Sequence, residues 1–485
     1  MNGVNRKWYS GMSTQEDWWA VWLGLFMFAM GLLSIWGIDA VGWQFKPSTW
    51  TFDNPMKAFK PSTKNYADLG MFGSLIVSWI VWTALTSVGA FFMKLDVKRF
   101  AMGFSLLFWL TVLAIFIGRE AHLSAIEPKW AKYGITWGLS LGGGVAYITA
   151  LVVGLIIGNF FKPLAAFMKD ASKPEWYIKT AIVYLGIKVG VMSMKASGYT
   201  FDIAIAGACA TFVAYLLFWP MIYWIARRWF KLPRQWAAVL CSGISVCGVS
   251  AAIATAGAIR AKPIIPTMVS MLIIVYAMIE LIILPGFYTW VAPHEPIVNG
   301  AAMGMTVKTD GADAAAGALL DEMMRALPHG QNWAEDSILA AAIMTKIWID
   351  MFIGLWAFIL ALVWVYKVER TPGTSHVPAS EVWFRFPKFV LGYLFCWSFY
   401  VALMTVAPDI AKLAMHGANV VQSPMRKMLF LICFVAMGCV TDFSKLRGMG
   451  RLALLYFVAL VFIIAPIAYL VAWIFHHGMV PPLAS

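Results

Sequence analysis

Charge is scarce in this chain. Only 13% of its 485 residues are Asp, Glu, Lys or Arg, about half of what a soluble domain carries. That scarcity excludes a globule solvated by water, and a hydrophobic content of 61% requires lipid as the main solvent. Cysteine is scarce as well. The six present (Cys209, Cys241, Cys247, Cys396, Cys433, Cys439) mostly lie inside apolar runs, with no CxxC pair and no Cys/His cluster at zinc spacing. Neither a disulfide framework nor a metal site is expected. The G-x-S-x-G nucleophile elbow is missing and no convincing triad partners occur, so the chain does not read as an enzyme, and no cofactor is expected. A small-residue cleavage site is lacking after the first apolar run, which therefore reads as a retained span rather than a signal peptide.

What charge there is sums to +13, but it comes in small clusters between apolar spans. Examples are Lys94, Lys98, Arg99; Arg227, Arg228, Lys231, Arg234; and Lys445, Arg447, Arg451. This is the pattern of topology determinants and not of a phosphate-binding face, so no nucleic-acid partner is expected. With the amino terminus in the cytoplasm all three clusters fall inside. Loop 39–68, with Lys46, Lys57, Lys60 and Lys64, argues the other way. Many aromatic residues sit at span edges (Trp18, Trp19, Trp22; Trp219, Trp224; Trp290), where interfacial rings belong.

A bilayer core needs roughly 20 apolar residues in helix. On that ruler spans fall near 18–38, 69–93, 100–118, 136–161, 177–195, 203–226, 237–259 and 266–290, and further candidates near 303–325, 338–366, 387–407, 425–442 and 451–477. The fold class is all-α: a polytopic integral membrane protein of about thirteen elements, some of them discontinuous or re-entrant. Residues 39–68 read as an extramembrane loop, and 367–388 as a Pro/Gly-punctuated seam. An internal echo links Leu185-Gly186-Ile187, followed by an apolar span around Pro220, with Met437-Gly438-Cys439, followed by one around Pro466. An odd number of crossings separates the copies, as in the inverted repeats of secondary transporters. Chance recurrence of Gly and Pro is the alternative.

Two segments can carry chemistry. The first, Cys241 to Gly257, gathers Ser242, Gly243, Ser245, Cys247, Gly248, Ser250, Thr255 and Gly257. Such a run permits close helix approach, or lets a helix break so that free N–H groups and hydroxyls meet an anion. The second, Gly304 to Gly317, places Lys308, Asp310 and Asp313 among small residues, and helical spacing puts Thr306, Asp310 and Asp313 near one face. An alanine-rich extramembrane loop would look the same. Lys188, Glu280, Lys346 and Asp350 are isolated charges within apolar spans; Lys346 and Asp350, four apart, can pair across one turn. A charge at membrane depth costs roughly 2.5–3.5 kcal/mol, so it defaults to a functional hypothesis. For Lys188, snorkelling to the interface is the plain alternative.

At these residues the sequence resembles the bacterial sulfate exporter family, UPF0324, a group related by fold to cation/proton antiporters and bile-acid symporters. The resemblance rests on Gly243-Ile-Ser-Val-Cys-Gly-Val-Ser-Ala-Ala-Ile-Ala-Thr-Ala, supported by Gly154-Leu-Ile-Ile-Gly-Asn159, Leu185-Gly-Ile187 and Ala436-Met-Gly-Cys-Val-Thr-Asp-Phe443, and covers about residues 135–480. The family commonly has Thr-Val-His-Glu and then Gln where this chain has Thr306-Val307-Lys308-Thr309 and Asp313, which rewrites the charge of that segment. The resemblance implies a multi-pass protein of the bacterial inner membrane, with a transporter core over 135–485, an extension of about three spans over 1–134, and a scaffold able to form a homodimer. It implies secondary active transport of a small anion, a sulfur oxyanion or sulfonate, coupled to a proton or sodium. Ser242, Gly243, Ser245, Cys247, Gly248, Ser250, Thr306, Lys308 and Lys346 are expected to bind substrate, and Asp310, Asp313 and Asp350 to carry the coupling ion. The alternatives are a cation/proton antiporter and a membrane sensor or enzyme without transport. Membrane lipid is the only other partner expected.

Overall fold

The computed structural model describes residues 11–125, 130–139, 145–195, 199–259, 261–262, 264–351, 356, 359–360, 362–364, 383, 388–446 and 449–483. The seam expected at 367–388 falls outside them apart from Trp383 and Lys388, as does Arg447 of the third basic cluster.

The described chain is a bundle of helices. In order these are α1 (Glu16–Leu32), α2 (Gly70–Phe92), α3 (Val97–Gly118), α4 (Val145–Phe160), α5 (Pro174–Lys195), α6 (Tyr199–Arg228), α7 (Arg234–Ser245), α8 (Val249–Ala258) and α9 (Ile264–Val291). They continue with α10 (Pro296–Thr306), α11 (Asp310–Ala326), α12 (Ser337–Met351), α13 (Phe389–Val406), α14 (Pro408–Val420), α15 (Arg426–Val440), α16 (Gly450–Ala459) and α17 (Ala465–His476). Short helical turns join some of them. Each apolar segment marked in the sequence contains helix, and eight continuous stretches are long and apolar enough to cross a membrane. The chain is an all-α, multi-pass membrane protein. Among the described residues the only sheet is a hairpin in loop 39–68, β1 (Phe45–Pro47) against β2 (Phe59–Pro61).

Two sets of helices pack together. The first holds α1–α5 with α13–α15; the second holds α6–α12 with α16 and α17. Glycine sets the spacing inside the first. A Cβ at Gly154 of α4 would lie 2.3 Å from the Val435 carbonyl oxygen of α15, and one at Gly186 of α5 would lie 2.3 Å from that of Tyr393 on α13. Such approach is how helices associate where lipid offers no hydrophobic drive. Beyond Gly158, Asn159 donates to the Thr441 carbonyl at 3.1 Å and accepts from the Phe443 amide at 3.1 Å. The sequence pieces 154–159 and 436–443 therefore meet as a packing joint. Two π-helical turns, Val421–Met425 around Pro424 and Leu460–Ile464 just before Pro466, accommodate prolines that an α-helix interior would reject.

The second set meets the first largely through α11. A Cβ added at its Gly311 would lie 3.6 Å from Ile178 of α5 and from Cys433 and Met437 of α15. At its other end Arg426 donates to Asp336 at 2.6 Å and Lys188 lies 3.9 Å from the same carboxylate, while Lys427 pairs with Glu335. Lys188 is thus part of a cross-set ion network and does not simply snorkel.

A candidate site where two interrupted helices cross

The small-residue run does break. α7 ends at Ser245 and α8 starts at Val249, with Gly248 between them at φ +73°. That left-handed backbone strains any residue with a Cβ. Space forbids one too, since a Cβ there would lie 2.6 Å from the Lys308 carbonyl oxygen. Lys308 itself sits in a second break, Val307–Thr309, between α10 and α11. The two interruptions touch. The break overturns the expectation that Thr306, Asp310 and Asp313 share one helix face: Thr306 closes α10, whereas both aspartates belong to the first turn of α11. The segment is fully buried, which also removes the extramembrane-loop alternative.

The charges follow the helix ends. The C-terminal carbonyls of α10 carry partial negative charge, and two cations meet them. Lys346 of α12 donates to the Val307 and Lys308 carbonyls at 3.2 Å each, and the Lys308 ammonium turns back to the Met305 carbonyl, 5.1 Å from the centre of the Phe218 ring. α12 reaches this point because Gly304 leaves room: a Cβ there would lie 2.4 Å from the Ala342 carbonyl oxygen, one turn before Lys346. At the start of α11, the Thr309 hydroxyl caps the Ala312 amide at 3.2 Å, and Asp310 and Asp313 place acid at the positive end of the helix.

Among the described residues, one oxygen of Asp310 and both oxygens of Asp313 and of Asp350 are buried without a hydrogen-bond donor, and the Ser245 hydroxyl is buried without a partner; the Asp310 and Asp350 carboxyls are themselves neighbours. Each such group costs about 1–3 kcal/mol unless something else meets it. Lys346 does not pair with Asp350 as their spacing allowed, because its ammonium is directed to the Val307 and Lys308 carbonyls of the break instead. The carboxylates of Asp350, Asp310 and Asp313 nevertheless act on it electrostatically.

The remaining expected residues have plainer surroundings. Ser242 accepts from the Trp219 indole at 3.0 Å and faces α6. Thr306 donates to the Ala302 carbonyl at 2.7 Å beside the Tyr288 hydroxyl. A Cβ on Gly243 would meet Ile273 at 2.5 Å, Cys247 is a free buried thiol, and the Ser250 side chain lies outside the described residues. Glu280 of α9 accepts from Tyr456 at 2.9 Å and is an electrostatic neighbour of Lys308. Sequence reasoning missed a further group, Asp17, Glu175 and Lys179. Lys179 lies 3.4 Å from Asp17 and 3.7 Å from Glu175, and it acts on Asp310. Its signal was a Glu–Lys pair four apart in the first turns of α5.

Among the described residues no group of three or more His, Cys, Asp or Glu is placed to hold a metal ion. The family described as conserved hypothetical protein 698 matches residues 102–457. A UPF0324 membrane protein of Nitrosomonas europaea is 57% identical over 488 residues, covering 100% of both chains. The chain belongs to the UPF0324 membrane protein family. Other UPF0324 membrane proteins are more distant. One from Rhodopirellula baltica is 30% identical over 83% of this chain and 65% of its own length. One from Nitratidesulfovibrio vulgaris is 32% identical over 83% of this chain and 64% of its own. This chain thus spans just under two thirds of the length of those two. No solved structure matches this UPF0324 chain. The Nitrosomonas match runs through residues 1–134 as well, so the UPF0324 relative has a counterpart to the extension.

Proposed function

We propose that this UPF0324 protein is a secondary active transporter of the bacterial inner membrane, moving a small anion of the sulfur-oxyanion or sulfonate class coupled to a proton. The observation that carries the reading is the crossing of two interrupted helices beside five buried carboxylate oxygens, on Asp310, Asp313 and Asp350, that have no hydrogen-bond donor among the described residues. Irregular backbone at membrane depth is tolerated where it is buried in protein or lines a cavity, and transporters place their sites at such breaks. The anion would meet the amides that open α8, the Ser245 hydroxyl and the charge of Lys308 and Lys346. The three aspartates would carry the coupling ion. A proton is the simpler coupling ion, because a single buried carboxylate can carry it. The reciprocal packing of α5 on α15 and of α6 on α17 is what an inverted repeat over 135–485 would produce, with residues 1–134 as scaffold and dimer surface.

A cation/proton antiporter is the second reading. It is favoured by the surplus of Asp310, Asp313, Asp350 and Glu280 over Lys308 and Lys346. Proteoliposomes separate the two. Labelled sulfate or sulfite uptake driven by an imposed pH gradient supports the anion reading. Sodium- or potassium-dependent proton movement without oxyanion uptake replaces it with antiport, and no flux of either kind returns the protein to a sensor or enzyme role.

A further inference from the structure

The extramembrane loop contains a duplication. Phe-Lys-Pro-Ser-Thr occurs at 45–49 and again at 59–63. The two copies pair antiparallel as β1 and β2, in the register Phe45 to Pro61, Lys46 to Lys60 and Pro47 to Phe59. Phe45 and Phe59 are buried beneath the hairpin and meet edge to face at 5.5 Å. Lys46 and Lys60 are exposed directly opposite each other. Like charges in that relation destabilise a strand pair, and no described residue relieves them. Among the described residues neither lysine has an ion-pair partner, nor do Lys57, Lys64 and Lys132, which line the same cleft of about 920 Å³. Asp53 is the one acid on its wall.

The hydroxyls of the two copies differ in what they do. In the second copy, Ser62 donates to the Gln44 carbonyl at 2.6 Å and Thr63 to the Asp39 carboxylate at 2.5 Å. Burial works to raise the pKa of Asp39, but the bonds from Thr63, the Gly42 amide and His416 outweigh it and hold the carboxyl below its ordinary value. Thr63 is thereby committed to an anion that anchors the loop. In the first copy, Ser48 and Thr49 line the cleft, and their hydroxyls have no hydrogen-bond partner among the described residues. With the amino terminus inside, the loop after α1 lies outside, where lysine is disfavoured, and in that orientation topology does not call for these lysines.

We propose that this cleft is a binding site for a tetrahedral oxyanion of the sulfate or phosphate class, held by the ammonium groups of Lys46 and Lys60 with the Ser48 and Thr49 hydroxyls donating. It is separate from the helix crossing and does not rest on the transport reading. The duplication supplies the two cations from one structural unit, and the difference between the copies leaves one pair of hydroxyls for the ligand.

The test uses the full-length protein in nanodiscs of phosphatidylcholine, with labelled sulfate binding and thermal unfolding as readouts. Wild type should bind sulfate saturably, against a chloride background of equal ionic strength, and should unfold at a higher temperature when sulfate is present. The double variant Lys46→Gln/Lys60→Gln should lose at least tenfold in affinity and lose the sulfate-induced thermal shift. Its thermal stability without sulfate should be equal or higher, because the opposed charges are gone. Ser48→Ala/Thr49→Val should weaken binding severalfold, and Lys98→Gln, at an exposed lysine in the first turn of α3, should leave binding unchanged. Sulfate binding unchanged by the double variant would overturn the proposal. So would loss of sulfate binding when anionic phosphatidylglycerol is added, which would assign the cleft to a lipid headgroup. Transport assays stand apart: failed uptake with intact cleft binding sinks only the transporter reading.

Discussion

Lys346 and Gly248 are the residues on which the crossing depends most. The Lys346 ammonium is the partner of two carbonyls at the open end of α10. Lys346→Gln should lower stability by about 1–3 kcal/mol through groups left unmet, read as a lower unfolding temperature in detergent, and should reduce anion-dependent transport at least tenfold. Wild-type transport in that variant would remove Lys346 from the site. For Gly248→Ala, a left-handed backbone costs an L-residue roughly 1–2 kcal/mol, before the contact with Lys308 is counted. Gly286→Ala in α9 is the matched control. Its added Cβ meets nothing closer than 3.8 Å, and replacing a helical glycine should gain up to about 1 kcal/mol. Equal thermal shifts in the two variants would mean that the break is not where it is drawn. That the two small-residue segments and the buried charges come together was partly legible in the sequence, because charge and small residues at membrane depth are expensive or unusual. Their partners were not. Lys346 and Asp350 have the spacing to pair, yet the lysine serves carbonyls 38 and 39 residues away in sequence, which no local pattern encodes.

At the scale of elements, apolar run length located the helices well and their interruptions poorly. The run from Cys241 to Gly257 suggested either a break or a packing helix, and only Gly248 at positive φ decides between them. The run from Gly304 to Gly317 looked like one helix face because helical periodicity continues in the letters across Val307–Thr309. The chain leaves the helix there because the Thr309 side chain caps α11 and the Lys308 carbonyl meets the neighbouring break. The span expected at 425–442 has a further reason for its displacement. Helix continues back through Pro424 to Pro408, and Arg426 and Lys427 within it are neutralised from the opposite helix set. The α4–α15 joint gives a prediction at this scale. Gly154→Leu would push a side chain into the Val435 carbonyl, with an overpacking cost of about 1–3 kcal/mol. It should lower the yield of folded protein, and a yield equal to wild type would show that the two helices do not approach as closely as described.

At the scale of the molecule, composition alone dictated a multi-pass membrane protein, whereas the division into two helix sets depends on contacts far apart in sequence. Transport by this architecture requires the sets to shift against each other, and α11 is the element between them. A Cβ added at Gly311 would lie 3.6 Å from the Cys433 sulfur, so Gly311→Cys should form a disulfide under mild oxidation and tie α11 to α15. Oxidised protein should lose transport, and reduction should restore it. Full transport by a cross-linked sample would show that this joint does not move.

The central claim is that the crossing couples a proton to a small oxyanion. The most direct measurement is proton movement, read by an internal pH dye in proteoliposomes, after a pulse of sulfate or sulfite. Wild-type protein should give a saturable, oxyanion-dependent signal. Asp313→Asn should abolish proton movement while still exchanging labelled oxyanion across the membrane, since Asp313 is fully buried and both its oxygens lack partners. An oxyanion pulse that moves no protons in wild type, or an Asp313→Asn variant with undiminished proton coupling, would contradict the account.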